Sequence, residues 1–128
     1  MITRYRAWDS SKKEMFKDTF AITESGQVVV IEQESVASAP DYVFVEHLVI
    51  MQSTGLFDKN GQEIFEGDIL GTKDGLLNGF VEYREDLGMW TNSLIRYNNF
   101  ERLCNVASNR EIIGNVYQNP ELLEVDND

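Results

Sequence analysis

Residues 52–70, Gln-Ser-Thr-Gly-Leu-Phe-Asp-Lys-Asn-Gly-Gln-Glu-Ile-Phe-Glu-Gly-Asp-Ile-Leu, restrict the possible folds of this chain more than any other stretch. Asp58-Lys59-Asn60-Gly61 stands between the apolar pairs Leu56-Phe57 and Ile64-Phe65. An Asn-Gly step in that setting predicts a tight hairpin, because both residues tolerate positive φ. Glu66-Gly67-Asp68 then predicts a second turn before Ile69-Leu70. A segment that reverses twice within so short a span cannot belong to a long helix, so it commits its flanks to short strands. Leu56, Phe57, Ile64, Phe65, Ile69 and Leu70 are the expected core anchors.

The remainder of the chain agrees. Alternation of Ile2, Arg4, Arg6 and Trp8 with Thr3, Tyr5 and Ala7 predicts a strand over 2–8. Asp9 to Lys12 is turn chemistry, and 14–17 reads as the returning strand. A loop is expected over 18–26, a strand over 27–32, a surface insertion over 34–41 and one strand over 42–51. Three glycines make 71–79 a loop. Strands are expected at 80–84 and 89–97, joined by the turn 85–88. Residues 98–110 stay open between irregular chain and one helical turn through Phe100 and Leu103. A last strand spans 111–117 with a kink at Gly114. Asn119 is expected to cap a short helix starting at Pro120, and 124–128 to form a frayed tail. No stretch carries a sustained 3.6-residue period. The expected fold is mainly β, a β-rich α+β arrangement. It is one compact domain over 1–128, with about eight short strands, long irregular loops and a short C-terminal helix.

Charge narrows the functions available. Eleven Lys and Arg face 22 Asp and Glu among 128 residues, a net charge of −11. Phosphate binding needs clustered positive charge, so general nucleic-acid binding is disfavoured. Between Lys17 and Lys59 there is no basic residue, whereas Arg4, Arg6, Lys12, Lys13 and Lys17 gather early in the chain. That early cluster makes Arg4, Arg6 and Trp8 the candidates for contact with a single strand. Cys104 is the only cysteine, which excludes an intrachain disulfide and a cysteine zinc cluster. The first residues lack the basic-then-apolar order of a secretion signal. No apolar run approaches the roughly 20 residues that span a bilayer. A cytoplasmic protein without membrane contact is expected.

Residues capable of chemistry are present but unpatterned. Glu63, Glu66 and Asp68 lie close together, as paired carboxylates do in acid–base or Mg²⁺ and Ca²⁺ sites. Their spacing matches no metal loop, and Asp58-Lys59-Asn60-Gly61 lacks the further oxygen ligands of a calcium loop. Asp and Asn in tight turns accept backbone hydrogen bonds, which accounts for the same residues without any ligand. His47 sits in apolar strand context and is expected to be at least half buried. Cys104, between Leu103 and Asn105, is expected to pack, although a Cys104–His47 dyad is the conceivable alternative. Gly71, Gly75 and Gly79 lack the Lys-Ser/Thr ending of a phosphate loop. Trp8, Tyr83, Trp90, Tyr97 and Tyr117 are expected as core or cross-strand aromatics rather than base-stacking platforms. No catalytic residue, metal or cofactor is assigned.

Residues 52–70 resemble the signature of the YopX family of phage and prophage proteins, Gln-aromatic-Thr-Gly-Leu, Asp-Lys-Asn-Gly, then Glu-Ile-aromatic-Glu-Gly-Asp-Ile. Ser53 departs where an aromatic is common, and Phe57 where a Lys is common. Arg4-Tyr5-Arg6-Ala7-Trp8-Asp9 resembles the family's opening strand, and the run from Ile113 to Leu123 its closing block. The resemblance implies a mostly β fold and a phage or prophage origin, and brings no catalytic residues. Gly55, Asp58, Asn60, Gly61, Glu66, Gly67, Asp68, Gly114 and Asn115 are therefore the candidate motif, either structural or for interaction. The expected function is a non-enzymatic, acidic protein–protein interaction module with an unidentified host partner or a second copy of itself. The alternative is a nucleic-acid-related role, through DNA mimicry or weak single-strand binding.

Overall fold

A computed structural model describes residues 4–17, 20–22, 24–25, 27–32, 41–45 and 47–125. The insertion expected over 34–41 lies, but for its last residue, outside them, as do Ile2, Thr3 and the end of the tail. The chain forms two compact units, one of Tyr5–Met51 and one of Met1–Arg4 with Gln52–Asp128. Both are built from strands, as the alternating β-branched and aromatic runs require.

In the first unit β1 (Tyr5–Asp9) pairs antiparallel with β2 (Glu14–Phe16), Trp8 standing opposite Met15. The Asp9 carboxylate begins the turn between them by accepting the amides of Ser11 and Lys12. β3 (Phe20–Ile22), β4 (Val28–Glu32) and β5 (Asp41–Val45) form an antiparallel meander in that order. β3 falls within the loop expected over 18–26. Phe20 opposes Val30 and Ile22 opposes Val28, so backbone pairing with β4 overrides the turn residues around it. The single strand expected over 42–51 is two strands. β5 ends at Val45, His47 lies in a bend, and β6 (Leu48–Phe57) begins afresh.

The second unit takes up β6 from Gln52. Its distal half pairs with β7 (Glu63–Phe65), Ser53 opposite Phe65 and Phe57 opposite Glu63, with an irregularity between. β8 (Asp68–Gly71), β9 (Gly79–Arg84), β10 (Met89–Leu94), β11 (Phe100–Arg102) and β12 (Glu111–Asn115) form a five-stranded sheet ordered β11-β10-β9-β8-β12. With twelve strands among the described residues, the chain is more finely divided than the eight expected. The open stretch 98–110 becomes β11, then α1 (Leu103–Val106) and a 3-10 turn at Ala107–Asn109. Leu103 and Ala107 face inward and join Ile64, Leu70 and Val81 in the core, against which Leu56, Trp90 and Ile112 pack. Phe65 and Ile69 are buried as expected, but Phe57 is 54% exposed at the end of β6. The C-terminal helix is one 3-10 turn, Pro120–Leu123. Asn119 does not cap it with its side chain; its Oδ1 accepts the Asn115 amide instead.

Candidate functional site

The turn that follows β6 is built around Asp58. Its amide donates to Gln62 O at 2.8 Å, and the Gly61 amide donates to Asp58 O at 3.0 Å. The reversal therefore spans 58–62, wider than a two-residue Asn-Gly hairpin. Gly61 has φ 79°, but among the described non-glycine residues only Lys13 has positive φ, so Asn60 does not adopt the conformation expected of it. The Asp58 carboxylate replaces that geometry. Oδ1 accepts the amides of Asn60 at 2.9 Å and Gln62 at 2.8 Å, and Oδ2 accepts the Ile112 amide at 3.1 Å. Lys59 N donates to Arg110 O at 2.9 Å, so the turn is docked on the start of β12. Burial opposes the charged form of Asp58. The amides of Ile112, Gln62 and Asn60 outweigh it and hold the carboxyl below its usual range.

The other signature residues are also engaged within the fold. Gly55 N donates to Ser53 Oγ, and Thr54 Oγ1 donates to Ile64 O, where regular β6–β7 pairing is interrupted. Glu66 N donates to Gln52 O and Gly67 N to Val81 O. Asp68, 2% exposed, accepts the Phe65 amide at 2.8 Å. Gly114 lies beside the Asn119 side chain, whose Oδ1 would stand 2.5 Å from an added Cβ. Asn115 Oδ1 accepts the amides of Tyr117 and Gln118, and Val116 N donates to Gly67 O. The two matching blocks at 52–70 and 113–123 therefore meet in space and tie each other down.

The acidic cluster is divided in the same manner. Glu63 accepts the Ser53 hydroxyl at 2.6 Å and pairs with Arg4 at 3.3 Å. Among the described residues no group of three or more His, Cys, Asp or Glu is arranged to hold a metal ion. His47 is exposed rather than half buried, and its Nε2 lies 3.1 Å from Asp9 Oδ1 and 3.3 Å from Ser11 Oγ. Both contacts fall on one ring nitrogen. A catalytic triad needs one on each, so this is not that geometry. The Ser11 hydroxyl holds Asp9 below the usual carboxylate range, in spite of its burial, and the Lys12 and Ser11 amides and His47 act in the same direction. Cys104 is exposed on α1, and packing falls to Leu103. Arg4 is exposed, but Arg6 and Trp8 are 5% and 7% exposed, which leaves a nucleic-acid strand little of either to reach. Of the aromatics, Tyr83 and Trp90 form the cross-strand pair expected, with centroids 5.3 Å apart and edge to face. Tyr97 and Tyr117 are exposed instead.

A further feature, outside the candidate motif, lies on β9, β10 and β11. Phe80, Glu82, Arg84, Ser93, Tyr97 and Phe100 line a hollow of about 430 Å³, together with Asn98 and Asn99. Only strand register brings them together: Ser93 stands opposite both Phe80 and Phe100. The alternation of Phe80, Glu82 and Arg84 was the available signal, since it sets a carboxylate between a ring and a guanidinium on one face.

Together these features define a small β-rich protein whose most polar turns serve its own architecture. The chain belongs to the YopX family, whose model, described as YopX protein, matches residues 4–124. It is similar to protein EF1440 from Enterococcus faecalis at 32% identity and a TM-score of 0.61, over 97% of this chain and 99% of that one. YopX from Bacillus subtilis shares its fold at 22% identity and a TM-score of 0.65, over 97% and 100% of the two chains. No protein with a curated description matches it. No helix among the described residues is long and apolar enough to cross a membrane.

Proposed function

We propose that this is a phage- or prophage-borne accessory protein that acts by protein–protein contact and not by catalysis. The observation that carries the reading is what the second unit turns outward. Phe57, Tyr83, Leu87 and Tyr97 are each more than two-fifths exposed on a chain of net charge −11. Aromatic side chains in a polar surround are the composition of interface cores. Tyr83, braced against Trp90, is held as a preformed contact. The signature acids support the same reading, because Asp58 and Asp68 accept backbone amides and Glu63 a serine hydroxyl. A cytoplasmic setting in the bacterial host is part of this proposal.

The test is capture from host lysate on immobilised protein, with sedimentation to fix the oligomeric state. A partner, or a self-associated form, that is lost in a Tyr83→Ser, Tyr97→Ser double variant of unchanged Tm is the expected result. A strictly monomeric chain that retains nothing overturns the reading.

A further inference from the structure

The hollow on β9, β10 and β11 has the chemistry of a cation site, and its charges can be accounted for individually. Arg84 is neutralised within the chain. Its Nε and Nη2 donate to the two Asp86 oxygens at 3.0 and 2.8 Å, and its guanidinium lies 5.4 Å from the Phe100 ring centre. Glu82 acts on the same guanidinium only through space, as the weaker of its two acidic neighbours, and has no hydrogen-bonded cation among the described residues. The Ser93 hydroxyl donates to its Oε2, while its Oε1 accepts no hydrogen bond from any described residue. Ser93 Oγ is in turn 3.2 Å from Thr91 Oγ1, which holds the serine hydroxyl in place. The carboxylate of the hollow without a hydrogen-bonded cation is thus Glu82, with Phe80, Tyr97 and Phe100 around it. The volume is within the range that encloses a small ligand or a single side chain.

We propose that this hollow receives the guanidinium of an arginine side chain presented by a protein partner. A planar guanidinium meets a carboxylate through two parallel N–H bonds and stacks on aromatic faces, which an ammonium does not do as well. Arg84 over Phe100 is an example of that stacking within the chain itself. The net charge of −11 draws a basic partner from long range, and the Glu82 carboxylate sets where its side chain lands. The inference rests on the interaction reading above and names the chemistry that reading leaves open.

The experiment is a nuclear magnetic resonance titration of the isotope-labelled full chain with the capped tripeptide Gly-Arg-Gly, beside its citrulline and lysine counterparts. Saturable shifts at Ser93, Tyr97, Asn99 and Phe100 with the arginine peptide are expected. Glu82→Gln, which keeps size and fold, weakens binding at least about tenfold, the loss of one charge-assisted pair. Tyr97→Ser, at a position 50% exposed, weakens it without altering Tm. No saturable shift, equal binding of the citrulline or lysine peptide, or an unaffected Glu82→Gln overturns the inference. A captured partner that binds Glu82→Gln as well as the unaltered chain overturns this assignment and leaves the interaction module standing. Arginine-peptide binding by a chain that captures nothing and stays monomeric supports the hollow and overturns the module.

Discussion

Two turns of the second unit begin with the same device and differ in everything that follows. In each an Asp carboxylate accepts the amide two residues on, Asn60 for Asp58 and Leu76 for Asp74. In each a glycine has positive φ, 79° at Gly61 and 74° at Gly75. Asp74 is exposed, and its partners, Leu76 N and Thr72 Oγ1, lie within its own loop. Asp58 is 5% exposed, and its second oxygen reaches Ile112, 54 residues away. The first carboxylate shapes one loop, while the second joins two distant parts of the chain. Local turn chemistry is the same, so differences in stability between the two turns must come from reach and burial.

That comparison is sharpest in Asp58→Ala, which leaves three amides without their acceptor. It should cost about 3 kcal/mol in urea unfolding. A loss no larger than that of Asp74→Ala would break the comparison. Next is acid. The folded pKa of Asp58 lies below its unfolded value, so its contribution is complete above the ordinary carboxylate value of 3.8 and is lost as pH falls through the lower folded value. The stability gap between the natural chain and Asp58→Asn should therefore narrow from about pH 5 to about pH 2, as read by urea midpoints at each pH. A gap independent of pH would mean that charge is not what the amides select. Third, Gly61→Ala and Gly75→Ala should each cost about 1 kcal/mol, the left-handed penalty alone. An added Cβ meets nothing within 4 Å at Gly61, and at Gly75 only Asn78 Nδ2 at 3.8 Å. Unequal losses would show that the two turns differ in backbone strain as well as in reach. Asp74→Ala should have the smallest effect, a shift in Tm barely beyond error, because its partners are free to bond to water.

These contrasts also explain what could be read in advance. The turn at 58–62 and the burial of Ile64, Phe65, Ile69 and Leu70 follow from short-range pattern, and so does the kink near Gly114. The role of Asp58 was only half visible, because the Ile112 amide arrives from a distant strand. β3 was hidden for a similar reason. Phe20, Ala21 and Ile22 are too few to outweigh neighbouring turn residues until β4 lies beside them. His47 and Phe57 were expected inward from their apolar neighbours, but a bend exposes one and a strand end the other. Nothing local marks Glu82, Ser93 and Tyr97 as neighbours. The hollow is a product of register, and register is not written in any window of the chain.

β12 holds one further consequence. Ile112 stands opposite Leu70 and Gly114 opposite Ile69, so Ile113 is an extra residue with no partner of its own. Its side chain lies against Gly71, where an added Cβ would come within 2.9 Å of it. A strand of this kind carries a spare link. Deleting Ile113 would leave Glu111 and Ile112 with their present partners and still bring Gly114 and Asn115 opposite Ile69 and Asp68. Deleting Gly114 would keep the same count, but it would bring Ile113 opposite Ile69, to the place where an added Cβ stands 2.5 Å from Asn119 Oδ1. The closing block should thus tolerate the loss of Ile113 and resist the loss of Gly114, because the two deletions give equal length and differ only in the side chain set beside Asn119.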